Sequence, residues 1–254
     1  MVNQPRHRET VQAVLATAIQ PHLSVRDAIE ALMGLMAAKG PRLVGHGIRT
    51  AQYAVTLAKA AGLDSAEFLP LHWAGLLHDI GTLTLPDDLL HKESPLTAEE
   101  YALVQSHPRA GAELLAAIPS LQIAAVWIAH HHERWDGCGY PYGLRGPFIP
   151  LGSRILAVAD TFDALATARC SEATREHRSA LRLLQVVAGS QLDPELVELF
   201  LSTSSTASQI SLGRDVPLAQ HPLRWERQRV PGGAPCGPPA LPDPSLTPVR
   251  VSLC

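Results

Sequence analysis

The pair His78-Asp79, inside Leu77-His78-Asp79-Ile80-Gly81, sets an imidazole beside a carboxylate. Both groups ligate metal ions. Neighbouring residues on a helix project about 100° apart, so the pair can serve one ion only where a helix end loosens; otherwise it serves two. More imidazoles follow the same stretch: of twelve histidines, eight lie between residues 46 and 132, and His130, His131 and His132 are consecutive. Asp160 adds a carboxylate at the end of an apolar run, Ile155-Leu156-Ala157-Val158-Ala159-Asp160. A buried, unpartnered carboxylate is costly, so Asp160 requires a metal, another cation or hydrogen bonds. These residues together point to a shared metal site.

Such a site needs helix ends that converge on one rim of a bundle. The run Leu69 to Leu77 reads as a buried helix that delivers His78-Asp79 at its end. Upstream, Glu9 to Gln20 forms a helix ended by Pro21. Ser24 caps a second helix through Ala38, with Val25, Ala28, Ile29, Leu32, Leu35 and Met36 as its apolar stripe. A third runs from Leu43 to Ala61 with His46 in its first turn, and Asp64 or Ser65 caps the helix that carries His78. Thr97-Ala98-Glu99-Glu100 is a capping box. His107 precedes Pro108, which fits the first turn of a helix to about Ile118. Ser120 caps a helix from Leu121 to about His132. Residues 133–150, rich in Gly, Pro and aromatics, form a structured loop, because Trp135 and Tyr140 need burial. Helices then cover Leu151 to Ala168, Glu176 to Ala188, and, after the Asp193 cap, Pro194 to about Leu201. The fold class is all-α, and His46, His78, His107, His131 and His132 each fall at or near a helix end.

Composition narrows the function classes. Apolar residues make up 46% of the 254 positions but aromatics only 5%, so the core is built from Ala, Leu, Val and Ile in closely packed helices. The formal net charge of −3 gives no electrostatic case for DNA binding. Cys138, Cys170, Cys236 and Cys254 form no CxxC pair. They read as free thiols of a cytoplasmic protein. No apolar run approaches the length of a membrane span, and Val11 to Ile19, broken by Gln12, lacks a convincing cleavage site for a signal peptide. Three regions are expected: N-terminal helices over 1–39, too few residues for a full sensory domain, a main domain over 40–201, and a disordered tail over 202–254 that holds nine prolines.

Six ordered motifs resemble the HD-GYP domain, a branch of the HD metal-dependent phosphohydrolases. They are Gly45-His46-Gly47-Ile48-Arg49; Leu77-His78-Asp79-Ile80-Gly81; Leu96-Thr97-Ala98-Glu99-Glu100; His107-Pro108 with Gly111; His131-His132-Glu133-Arg134-Trp135-Asp136-Gly137 running on to Gly139-Tyr140-Pro141; and Ala157-Val158-Ala159-Asp160-Thr161-Phe162-Asp163-Ala164-Leu165. The resemblance implies an all-helical domain that binds metal ions and hydrolyses cyclic di-GMP to linear pGpG or GMP. It implies His46, His78, Asp79, His107, His131, His132 and Asp160 as ligands, with Asp79 bridging two ions. It leaves His130 as a neighbour. Imidazoles with two carboxylates suit iron or manganese better than structural zinc. Asp79, His78 and Thr82 are the expected catalytic residues. Arg169, Tyr140 and Arg145 are the expected substrate contacts; Arg154 could also touch phosphate, but Arg145 and Arg154 each read more readily as solvated or structural arginines. The Gly-Tyr-Pro loop is either a packed turn or, as the resemblance implies, a wall of the substrate site or a docking surface for cyclase domains, and the N-terminal helices pack on the core or pair in a homodimer.

Three departures from the family pattern matter. Thr82 stands where a lysine is usual, Arg169-Cys170-Ser171-Glu172 replaces an Arg-Pro-Tyr-Arg pattern, and Arg42 stands where a glutamate accompanies a third metal. Two ions are therefore expected, with activity reduced by Thr82 and Glu172. The competing readings are a weak receptor or scaffold for the nucleotide or a cyclase partner, and a phosphohydrolase acting on another phosphate ester.

Overall fold

The computed structural model describes residues 24–92, 94–167 and 173–206, and all of their regular structure is helical apart from one isolated bridge between Ala188 and Leu192. The expected helix over Glu9 to Gln20 and the tail beyond 206 lie outside the described residues.

Helix α1 (Val25–Lys39) opens on the Ser24 cap, and the box is reciprocal: Ser24 Oγ accepts from the Asp27 amide while Asp27 Oδ2 accepts from the Ser24 amide. Its stripe Ala28, Ile29, Leu32 and Met36 enters the main core. Lys39, at its end, is buried and donates to the Leu85 carbonyl at 2.6 Å while pairing with Asp87. Helix α2 (Pro41–Ala60) starts on a proline, two residues earlier than expected, which sets His46 in its second turn. Asp64, not Ser65, caps α3 (Ser65–Leu77) by accepting from the Ala66 amide. Leu69 is exposed, contrary to the expectation of a buried run, because the helical period turns it outward from Leu71, Ala74, Gly75 and Leu77.

The α2–α3 contact aligns the first histidines. A side chain on Gly75 would overlap the Ala51 backbone, so only glycine permits this approach, which sets His46 against His78. Helix α3 stops at Leu77, and a 3₁₀ turn over Ile80–Thr84 follows, so the helix loosens at His78-Asp79. After the short α4 (Asp87–Leu90), α5 (Ala98–Val104) begins on the expected Thr97–Glu100 capping box. Helix α6 (His107–Ala116) then carries Pro108 in its first turn.

Ser120 is not a cap. It lies inside a 3₁₀ turn over Pro119–Leu121, because Pro119 tightens the entry, and α7 (Gln122–Ala129) starts without a side-chain cap and stops before His130. Helix α8 (Leu151–Thr167) crosses the core beside α2. Helix α9 (Ala173–Val187) begins three residues earlier than expected. Asp193 caps α10 (Pro194–Thr206), which outruns Leu201 because Ser202 and Thr203 donate back to the Leu199 carbonyl instead of ending the helix. None of the described helices is long and apolar enough to cross a membrane. The free-thiol expectation fails at Cys138, which is disulfide-bonded; disulfide pairing follows proximity in space, which sequence spacing does not reveal.

Candidate metal centre

Two triplets of ligand atoms face each other across the site. His46, His78 and Asp160 form one and His107, His131 and His132 the other, each with its ligand atoms within 4.8 Å of one another. The His78 and His131 rings join them, 5.3 Å apart between centroids. Asp79 lies between: Oδ2 is 3.4 Å from His78 Nε2 and Oδ1 is 3.4 Å from His107 Nε2.

Helix ends fix the tautomers. His78, His107 and His131 each give Nδ1–H to the carbonyl three residues earlier, Gly75 at 2.9 Å, Val104 at 2.8 Å and Ile128 at 2.6 Å. These carbonyls lie in the last turns of their helices, where the regular ladder of helix amides runs out. His46 gives its Nδ1–H to Asp163 Oδ2 at 2.7 Å. In all four, Nε2 therefore presents a lone pair to the site.

The donor set fits cations. His46 Nε2 lies 3.1 Å from His78 Nε2 and 2.9 Å from Asp160 Oδ1, so three lone pairs converge where only a proton or a metal relieves their repulsion. In the other triplet, His107, His131 and His132 each bury Nε2 with no hydrogen-bond partner. Buried imidazole nitrogens without partners are uncommon unless an ion or water serves them.

The electrostatics agree. Burial alone would raise the Asp79 pKa, but His78 and His107 hold it well below the ordinary carboxylate range. Asp160 is lowered in the same way, against burial, by His46 and His78. His78 is raised because Asp79 and Asp160 outweigh the burial that would lower it. His131 and His132 are pushed well below the usual imidazole value, first by burial and then by the neighbouring rings, so both stay neutral and able to ligate.

The remaining predicted residues fall around this basin. Thr82 is buried and donates its hydroxyl proton to the Asp79 carbonyl at 2.6 Å, so its one donor is committed to the turn that carries Asp79. Tyr140 lies beside the metal triplets, its ring 5.0 Å from that of His132, and burial raises its pKa well above the ordinary phenol value. Arg145 is exposed and lines a surface pocket with Trp135, Asp136 and Phe148, away from both triplets' ligand sets. Arg154 is structural: it donates to Asp193 at 2.6 Å and to the Ile149 carbonyl at 3.0 Å. Arg42 is exposed on the first turn of α2. Arg169 and Glu172 lie outside the described residues.

Two buried carboxylates were not assigned from sequence. Asp163, three residues after Asp160 and so on the same side of α8, is fully buried and receives two bonds from Arg49, at 2.7 and 2.9 Å. Glu133, next to His132, accepts from the Tyr142 amide at 2.7 Å and the Leu144 amide at 2.9 Å, which binds the Gly-Tyr-Pro loop to the histidine segment. Both stood inside the quoted motifs. A second acid at i+3 in an apolar helix was a usable signal for Asp163.

A family model described as HD domain matches residues 30–196, most of the chain. The chain belongs to the HD domain family. Its resemblance to the HD-GYP branch holds among curated relatives of this HD-domain chain. It is 36% identical over 69% of its length to a 3'3'-cGAMP-specific phosphodiesterase 2 of Vibrio cholerae, covering 34% of that protein. It is 39% identical over 64% of its length to the cyclic di-GMP phosphodiesterase response regulator RpfG of Xanthomonas campestris, covering 43% of that one. The chain thus spans well under half the length of these relatives. Its fold matches that of Bd1817, an HD-GYP-type protein from Bdellovibrio bacteriovorus, with a TM-score of 0.54 at 18% identity over 78% of this chain and 70% of the other.

Proposed function

We propose that this HD domain is a metal-dependent phosphodiesterase that hydrolyses cyclic di-GMP to linear pGpG or GMP. The observation that carries the reading is the pair of facing triplets with Asp79 between them, within reach of both. Two divalent ions, iron or manganese, suit this imidazole-rich donor set. When bound, such ions supply Lewis acidity to a phosphodiester and lower the pKa of water. The chain's own part is to hold and orient: His46, His78 and Asp160 on one side, His107, His131 and His132 on the other. Asp79 supplies negative charge to both. Tyr140, its ring tilted against that of His132 at 5.0 Å between centroids, borders that side. Relatives named for cyclic di-GMP and for 3'3'-cGAMP support a cyclic dinucleotide as the substrate class. The exposed face of the Gly-Tyr-Pro loop is the place for a cyclase-domain partner.

The test is turnover of cyclic di-GMP and 3'3'-cGAMP by the anaerobically purified full chain, with metals counted in the same sample. Expected are about two ions per chain, turnover of cyclic di-GMP, and loss of turnover in Asp79→Ala. Undiminished turnover in that variant overturns the reading.

One observation favours a second reading, a receptor or scaffold of low activity. Thr82 brings no cation, and its hydroxyl proton is already given to the Asp79 carbonyl. Under the enzyme reading Thr82→Lys raises turnover of the metal-loaded chain. Metal loading without turnover in either form, combined with tight nucleotide binding, selects the receptor.

A further inference from the structure

The two triplets differ in what stands behind their imidazoles. His107 and His131, like His78 in the first triplet, donate Nδ1–H to peptide carbonyls, which orient a ring but add no charge. His46 donates to the carboxylate of Asp163 at 2.7 Å, fully buried. A carboxylate acceptor makes imidazole a stronger donor to a metal and locks its orientation. A lone buried carboxylate would be costly to keep ionised, and Arg49 meets that need with two parallel bonds at 2.7 and 2.9 Å, a fork geometry that lysine does not reproduce.

Direct charge points the same way. Asp160 Oδ1 lies 2.9 Å from His46 Nε2 and 3.7 Å from His78 Nε2, inside that triplet, while the two oxygens of Asp79 divide between the sides. One site thus has two imidazoles and a carboxylate of its own. The other has three imidazoles and no carboxylate of its own.

We infer that Asp163, clamped by Arg49, is a positioning residue that makes His46–His78–Asp160 the tighter of two unequal ion sites and leaves His107–His131–His132 the exchangeable one. This rests on the two-ion reading above. The chain then loads in order, and its activity follows the supply of the second ion.

The experiment is an anaerobic titration of the metal-stripped full chain with Mn(II), in competition with a chromophoric chelator. Two separated steps are expected in the wild type. Asp163→Asn weakens the tighter step about 10- to 100-fold and leaves the weaker one in place. Arg49→Lys moves the same step by less. His131→Ala removes the weaker step and spares the tighter. Melting of the metal-free variants separates site effects from misfolding. Equal wild-type affinities, or equal weakening of both steps by Asp163→Asn, overturn the inference. If the wild type binds a single ion, the two-ion reading fails instead, and the positioning role stands only if Asp163→Asn weakens that ion and His131→Ala does not.

Discussion

Removing the Glu133 carboxylate tests whether the Gly-Tyr-Pro loop is fastened to the candidate metal centre from beneath. Glu133 is buried, and its two oxygens receive the amides of Tyr142 at 2.7 Å and Leu144 at 2.9 Å. A hydrogen bond to a charged group contributes about 1.5–3 kcal/mol. Tyr142 is exposed and Leu144 half-buried, so both freed amides regain water, and the lower value applies to each. Glu133→Ala should therefore cost about 3 kcal/mol, roughly 6–12 °C in melting temperature for a chain of this size. Glu133→Gln keeps the shape but turns an NH₂ toward one amide, so about half the loss is expected. Urea denaturation followed by tryptophan fluorescence measures both. Because Tyr140 stacks on His132, the alanine variant should also bind its ions less tightly. A Glu133→Ala chain within about 0.5 kcal/mol of the wild type would refute the fastening.

Three further outcomes are expected. Gly81→Ala should cost about 1–3 kcal/mol and weaken ion binding at the His107 triplet, since the added methyl overlaps the His107 carbonyl and lies 2.7 Å from the Gly111 amide; denaturation and metal titration would both register it. Thr82→Val, nearly isosteric, should lose about 1 kcal/mol through the missing bond to the Asp79 carbonyl, and an unchanged denaturation midpoint would contradict that role. Acid should destabilise the metal-free chain: His131 and His132 lie well below the usual 6.5, so their stability is present above that value and is lost as pH falls and only the unfolded chain takes up protons. His78, raised, opposes them, its contribution being fullest below 6.5 and lost as pH rises through its folded value, but two depressed groups outnumber one raised. Melting temperature should drop as pH is lowered from about 7 to about 5.5, less so in His131→Gln, whereas a flat profile would mean the two imidazoles are solvated.

Most helix starts were legible in the sequence because they depend on local chemistry. Ser24, Asp64, Thr97 and Asp193 act as caps through side-chain oxygens on their own helices, and sequence spacing predicts such short-range bonds. Relations that depend on which distant residue arrives were not legible. Nothing near Asp163 in the chain says that Arg49 and His46, more than a hundred residues earlier, will meet it. Ser120 looked like a cap because its type is right, yet Pro119 diverted the chain into a tighter turn. Leu69 looked buried because it begins an apolar run, but the face it takes depends on where the bundle lies.

Why the candidate ligands gather at helix ends has a physical answer in three of the histidines. The carbonyls of Gly75, Val104 and Ile128 belong to the last turns of α3, α5 and α7, where the regular ladder of helix amides runs out. An imidazole three residues on satisfies the carbonyl with Nδ1–H and is left with Nε2 pointing onward as a lone pair. The same carbonyls form the negative ends of their helices. Three negative helix ends therefore border one basin and favour a cation there, before Asp79 or Asp160 is counted. His46 and Asp160 come instead from within α2 and α8, where such carbonyls are already used. That is why His46 needs a carboxylate behind it, and why the carboxylate needs Arg49. Helix ends orient imidazoles on both sides of the centre through backbone carbonyls, while His46 must be oriented by side chains that are far apart in sequence.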